Sequence, residues 1–181
     1  MLSRMLKSKN FIYKKPSRED YRTLRNVRPC DDFYYMVGKS PDDTIFDSDE
    51  KFNKSFESSL RRDNYWHIFK GESIIGVTFI HSICEDDRHA RYAVGIYNKE
   101  NWGKAYGQEI THTVLDYAFN TLDLHKIDLL VLDYNVRAIN SYKQSGFVEE
   151  GRLRENGFVN NEWHDDVVMS ILKREFKGRS I

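Results

Sequence analysis

The stretch "ENWGKAYGQEITHTVLDYAFNTL", Glu100 to Leu122, decides how this chain folds. Its second half has the apolar spacing of a helix: Ile110, Val114, Leu115, Ala118, Phe119 and Leu122 share one face. Its first half is a loop in which Gly103, Ala105 and Gly107 alternate with larger residues. The first N–H groups of a helix have no partner within it, and the helix dipole adds positive charge at that end. A helix start opened by small residues therefore suits a phosphate or pyrophosphate, which must approach the backbone closely. The dinucleotide fingerprint G-x-G-x-x-G needs another spacing and a preceding first parallel strand, so it does not apply. By itself the loop reads equally well as a plain helix entrance.

The flanking sequence supplies the rest of the architecture. Upstream, "YWHIFK", "SIIGVTFIHSI" and "ARYAVGIYN" are short, aromatic and β-branched, and are separated by "GE" and "CEDDRH". They predict consecutive antiparallel strands. Downstream, "KIDLLVLDY" is almost wholly apolar, as expected of a strand covered on both faces. A short helix, "NVRAINSYKQSGF", follows and stops at Gly146, and "FVEEGRLRE" and "EWHDDVVMSIL" predict a closing hairpin. The first third reads as mostly helical. "SREDYRTLRNV" opens with Ser17 and Asp20 in a capping-box pattern, and "DSDEKFNKSFESSLRRD" predicts a second helix beyond the turn cluster "VGKSPDD". The order of elements gives an α/β (or α+β) domain with a mixed sheet and helices packed on it.

Bulk properties narrow the function. A chain of 181 residues, 40% hydrophobic and 14% aromatic, suits one well-cored domain. Lys and Arg number 28 and so do Asp and Glu, so no overall field draws the chain to nucleic acid or an anionic membrane. The start lacks the apolar segment of a signal peptide, and no run nears the ~20 apolar residues that span a membrane. Cys30 and Cys84 are too few for a disulfide framework, which points to a soluble cytoplasmic protein. In "HSICEDDRH" the residues lack a known ligand spacing, so no metal site is expected.

"WGKAYGQE", followed in order by "YAFNTLDLHKIDLLVLDYNVRAINSYKQSGFVEEGRLRE", resembles the N-acetyltransferase superfamily abbreviated GNAT, and within it the ribosomal-protein and spermidine acetyltransferase branch. The resemblance spans Ile75 to Phe176. It implies one domain, residues 1–181, in which helices over 17–63 form the acceptor side and residues 75–176 the acetyl-CoA core. The implied sheet is splayed between two parallel strands, with helices on both faces. The implied co-substrate, acetyl-CoA, would lay its pantetheine along the backbone of Val94, Gly95 and Ile96. Its pyrophosphate would sit on the amides of Trp102, Gly103, Lys104, Ala105, Tyr106, Gly107 and Gln108. The family motif Q/R-x-x-G-x-G/A falls on Trp102 to Gly107, with Trp102 in place of Gln/Arg and Ala105 in place of the first glycine. Asn135, Ala138 and Ile139 match cofactor-side positions.

The resemblance also carries a mechanism. Tyr142 matches the tyrosine that protonates the leaving coenzyme A sulfur, and a phenol of pKa about 10 holds its proton at neutral pH. An amine must first lose its proton, and Glu85, in the acidic turn with Asp86 and Asp87, is the candidate base. The carboxylate that holds the polyamine in spermidine enzymes falls at Arg91, which argues against a polycationic acceptor. His164, Tyr34, Tyr35 and Trp66 are candidates for the rim of the acceptor pocket. The implied function is acetyl transfer to a primary amine, on a small molecule, amino sugar, antibiotic or protein N-terminus, within a ternary complex. The alternative is an acyl-coenzyme A binding module without catalysis. A homodimer through the open sheet edge and last hairpin fits either reading.

Overall fold

The computed structural model describes residues 5–24, 28–40 and 48–178. One mixed sheet forms the centre. Its strands are β1 (Leu6–Lys7), β2 (Ile12–Lys14), β3 (Tyr65–Lys70), β4 (Ser73–Cys84), β5 (His89–Ile96), β6 (Lys126–Leu132), β7 (Val148–Val159) and β8 (Glu162–Leu172). They lie in the order β1-β2-β3-β4-β5-β6-β8-β7. Helices α1 (Arg18–Leu24), α2 (Asp31–Met36) and α3 (Asp49–Leu60) precede the central strands; α4 (Tyr106–Asn120) and α5 (Val136–Gln144) flank β6.

Both faces of the sheet are covered, and β3 shows how. Four consecutive residues, Trp66, His67, Ile68 and Phe69, are buried, which alternation allows only when each face has its own core. Trp66 and Ile68 join Ile110, Val114, Leu115 and Ala118 of α4. Phe69 joins Tyr21 and Leu24 of α1 and Phe52 and Phe56 of α3 on the opposite face. His67 is buried on that second side against Tyr21 and Tyr65. Neither of its ring nitrogens has a partner among the described residues, and burial pushes its pKa down to about 4.

The capping box holds at α1: Ser17 N–H donates to Asp20 Oδ2 at 2.8 Å, and Asp20 N–H donates to Ser17 Oγ at 3.1 Å. Ser48 caps α3 by accepting from Lys51 N–H. The remainder of "SREDYRTLRNV" past Leu24, the last three residues of the "VGKSPDD" cluster and Asp47 lie outside the described residues.

The expectation of a mostly helical first third needs correction. Residues 6–14 form the two-stranded edge β1–β2, with β2 paired antiparallel to β3. Two and three residues are too few for a readable alternation; burial of Phe11 and Tyr13 against the α4 side of the core makes them strands. This edge also fixes α4, because the Glu109 carboxylate accepts from Ser8 Oγ, Asn10 N–H and Asn10 Nδ2. Helix α2 went unread as well; its six residues are too few to show a period.

Candidate active site

Strands β5 and β6 run parallel but pair over only three rungs, His89 with Lys126, Ala90 with Ile127 and Arg91 with Asp128. Beyond Arg91 they part. Ala93 to Ile96 stay paired to β4, and Leu130 to Leu132 to β8, so each strand leaves one backbone edge facing the gap. The Arg91 guanidinium donates from Nε to Asp128 Oδ1 at 2.6 Å where the gap begins.

A cavity of about 670 Å³ occupies this opening. Val94, Gly95 and Ile96 form one wall and Leu130, Val131 and Leu132 the other. The start of α4, from Tyr106 to Gln108 with Thr111, and the inner face of α5, with Ala138, Ser141 and Tyr142, close it on one side of the sheet. Phe33, Met36 and Val37 close it on the other. Gly95 makes room for this last group, since a Cβ there would stand 2.8 Å from the Phe33 ring.

Helix α4 starts without a side-chain cap at Ala105, and the Ala105 carbonyl takes its first bond from Glu109 N–H. The amides of Tyr106, Gly107 and Gln108 therefore precede the helical ladder and border the cavity. Both Gly103, at φ 71°, and Ala105, at φ 58°, adopt the left-handed backbone. The substitution at Ala105 thus matters through conformation more than size: a left-handed alanine costs roughly 1 kcal/mol relative to glycine. Trp102 turns its indole back onto β5, donating from Nε1 to the Ile96 carbonyl at 2.9 Å.

Asn135 caps α5, its Oδ1 accepting from Ala138 N–H at 3.2 Å, while its Nδ2 donates to the Met36 carbonyl at 3.0 Å. One side chain thereby ties the helix above β6 to the end of α2. Tyr142 faces the cavity with its ring against Phe147 and Tyr92, and burial pushes its pKa up to about 12. Its phenol therefore keeps its proton throughout the neutral range.

The chain belongs to the acetyltransferase (GNAT) domain family. The family model matches residues 10–148, from the N-terminal edge strands to the start of β7. Spermidine N(1)-acetyltransferase of Vibrio cholerae is 29% identical over 168 residues, covering 90% of this chain and 93% of the relative. Its counterpart in Escherichia coli K12 is 30% identical, over 49% of this chain and 47% of the relative. Among solved structures, the Vibrio cholerae spermidine N-acetyltransferase in complex with CoA and spermine superposes with a TM-score of 0.78 at 26% identity, covering 93% of this chain and 98% of that one. The chain is an N-acetyltransferase with the GNAT fold, and acetyl-CoA is the acetyl donor of that family.

Within the GNAT fold, the cavity brings together Val94, Gly95, Ile96, Trp102, Gly103, Ala105, Tyr106, Gly107, Gln108, Asn135, Ala138 and Tyr142. Lys104 is exposed and Ile139 is buried in the core beneath α5, so neither side chain lines it. The structure does not bring Glu85 to the cavity. Glu85 follows β4 in the exposed hairpin turn before His89, on the paired side of the β5–β6 opening. Arg91 donates to Asp128 and lies outside the lining.

Other candidates also find their places. Tyr34 and Trp66 belong to the core. Tyr35 stacks on Tyr134 at 4.5 Å, and His164 meets Tyr134 edge-on at 4.6 Å with Nδ1 3.8 Å from Asp133 Oδ1. In the hairpin turn Cys84, Asp87 and His89 converge, each with a ligand atom within 4.8 Å of the others, which their spacing did not reveal. The lining residues missed by sequence reading include Phe33, Met36, Val37, Thr111, Arg137, Ser141 and Asp166. Only Arg137 left a readable signal: a cation in the first turn of a helix, against the dipole.

Proposed function

We propose that the protein transfers the acetyl group of acetyl-CoA to a primary amine by direct attack within a ternary complex. The observation that carries this is the opening of β5 from β6 onto the uncapped start of α4, with Tyr142 in the same cavity. Acetyl-CoA brings a thioester, whose carbonyl accepts the amine. The free backbone edge of Val94, Gly95 and Ile96 suits an extended amide chain, which would add as another strand does. The amides from Trp102 to Gln108 suit the pyrophosphate, and Tyr142 suits protonation of the departing sulfur.

For the acceptor, the lining residues on the opposite side matter. Asp166 is the one carboxylate among the described lining residues, and it takes the place first assigned to Glu85. Its Oδ2 accepts from Asn156 Nδ2 at 2.7 Å, which fixes the group while Oδ1 remains for an ammonium. The named relatives that act on spermidine support a small-molecule amine carrying a second positive charge. The 17–63 segment and the β7–β8 hairpin form the acceptor side in this reading, and residues 75–176 the donor side.

The deciding experiment offers acetyl-CoA with spermidine, spermine, amino sugars and short peptides, and follows release of free coenzyme A thiol. At least one amine is expected to raise release well above hydrolysis. If the coenzyme binds and no amine does so, the transferase reading fails.

A homodimer and a cytoplasmic location complete the proposal. Among the described residues both cysteines are free thiols. Val148, Leu153, Phe158 and Trp163 are exposed on the hairpin that ends at the open edge β7. A second copy would cover that face. Light scattering should give twice the monomer mass, and Trp163→Glu should return it to one; a monomeric wild type would refute the pairing.

A further inference from the structure

Trp102 and Arg137 meet across the mouth of the cavity. Trp102 stands in the loop before α4, and Arg137 is the second residue of α5, 35 positions further on. The guanidinium carbon lies 3.5 Å from the centroid of the indole, and both residues line the cavity. Neither arrangement is accidental in its chemistry. An indole has a single donor, and here Ile96 takes it, so Trp102 cannot bind an anion with its own side chain. Its ring face is what remains to act, and a guanidinium stacks on such a face while its N–H edges stay free.

The position of Arg137 has an electrostatic cost. A cation in the first turn opposes the positive end of the helix dipole, and that turn of α5 holds no acidic residue to offset it. Among the described residues no carboxylate forms an ion pair with Arg137. The nearby Asp32 is bound by Lys99. Arg137 thus presents up to five donors to the same space as the open amides of Tyr106, Gly107 and Gln108.

We propose that Trp102 and Arg137 act as one anion-binding unit, in which the indole holds the guanidinium where it pairs with the pyrophosphate of coenzyme A. Arg137 is a binding residue and Trp102 a positioning residue. This rests on the reading of the cavity as a coenzyme A site. The unit explains how a loop with tryptophan at its head and a left-handed alanine at its centre still presents a charged cradle.

Calorimetric titration of wild type, Arg137→Gln, Arg137→Lys and Trp102→Leu with three ligands tests it. Coenzyme A carries the pyrophosphate and a 3′-phosphate, dephospho-coenzyme A the pyrophosphate alone, and pantetheine neither. Arg137→Gln should weaken coenzyme A and dephospho-coenzyme A alike, by roughly 10- to 100-fold, and leave pantetheine unchanged. Arg137→Lys should recover part of the loss, and Trp102→Leu should lose roughly 3- to 10-fold with the same ligand dependence. An effect under about twofold for Arg137→Gln overturns the proposal. So does an equal loss for pantetheine, which would make Arg137 a support of the pocket, and so does a loss confined to the ligand with the 3′-phosphate. If wild type binds no coenzyme A at all, the broader reading of the cavity falls with it.

Discussion

Replacing Tyr142 with phenylalanine should lower turnover by about 10²- to 10³-fold while changing coenzyme A affinity by less than about threefold. Tyr142 lines the cavity, its ring packs on Phe147 and Tyr92, and the substitution keeps the ring. What is lost is a proton at the moment sulfur departs. The thiol formed has a pKa of about 8.5, and donating its proton as the C–S bond breaks acts on the chemical step and not on coenzyme A binding. Burial raises the phenol to about 12 in the folded protein, against about 10 in the unfolded chain. The protonated form is therefore the one favoured by folding, and that contribution is complete below pH 10 and lost as pH rises toward 12. The pH–rate profile should accordingly show no falling limb from this group below about pH 10. Turnover by Tyr142→Phe within about threefold of wild type, with its melting temperature unchanged, would remove the tyrosine from the mechanism.

Gly76→Ala should destabilise the fold by about 3 to 4 kcal/mol, lowering the melting temperature by roughly 10 °C. A Cβ at Gly76 would stand 2.1 Å from the Gly95 carbonyl oxygen and 3.2 Å from the Ile96 Cα. These neighbours are backbone, which cannot rotate away as a side chain can. Strand β4 would have to move from β5, and the segment displaced is the very wall of Gly95 and Ile96 that borders the cavity. Coenzyme A affinity should therefore fall together with stability. Gly151→Ala provides the control, since nothing stands within 4 Å of its added Cβ. A Gly76→Ala protein that melts within about 2 °C of wild type would show that the sheet yields there without strain.

The signals legible in the sequence were local ones. Strands β3, β4, β5, β6 and β8 begin and end within about two residues of where apolar alternation, apolar runs and turn residues place them. Helix α4 follows its apolar face, and α5 stops before Gly146, whose φ of 98° is the left-handed backbone that ends helices. Residues within a few positions of each other decide such features, because dihedral preferences and side-chain period act over that range. The family motif was legible for the same reason: it is a single loop and the helix it opens.

Other features were decided only when distant segments met. The parting of β5 from β6 after three rungs depends on which strand each one keeps as its other neighbour, β4 for one and β8 for the other. Glu85 reads as a candidate base from its acidity, yet the hairpin carries it to the paired side of the opening, whereas β8 sets Asp166 opposite Leu132 in the cavity wall. Arg91 reads as a lone cation until β6 brings Asp128 beside it. Trp102 looks like a lost motif residue until α5 lays Arg137 on its ring. By itself, then, the sequence determined most of the elements and the loop of small residues that opens α4. Which charges line the cavity is set by pairs far apart in the chain. No local period encodes such pairs, because the energy that joins them exists only after the sheet has closed.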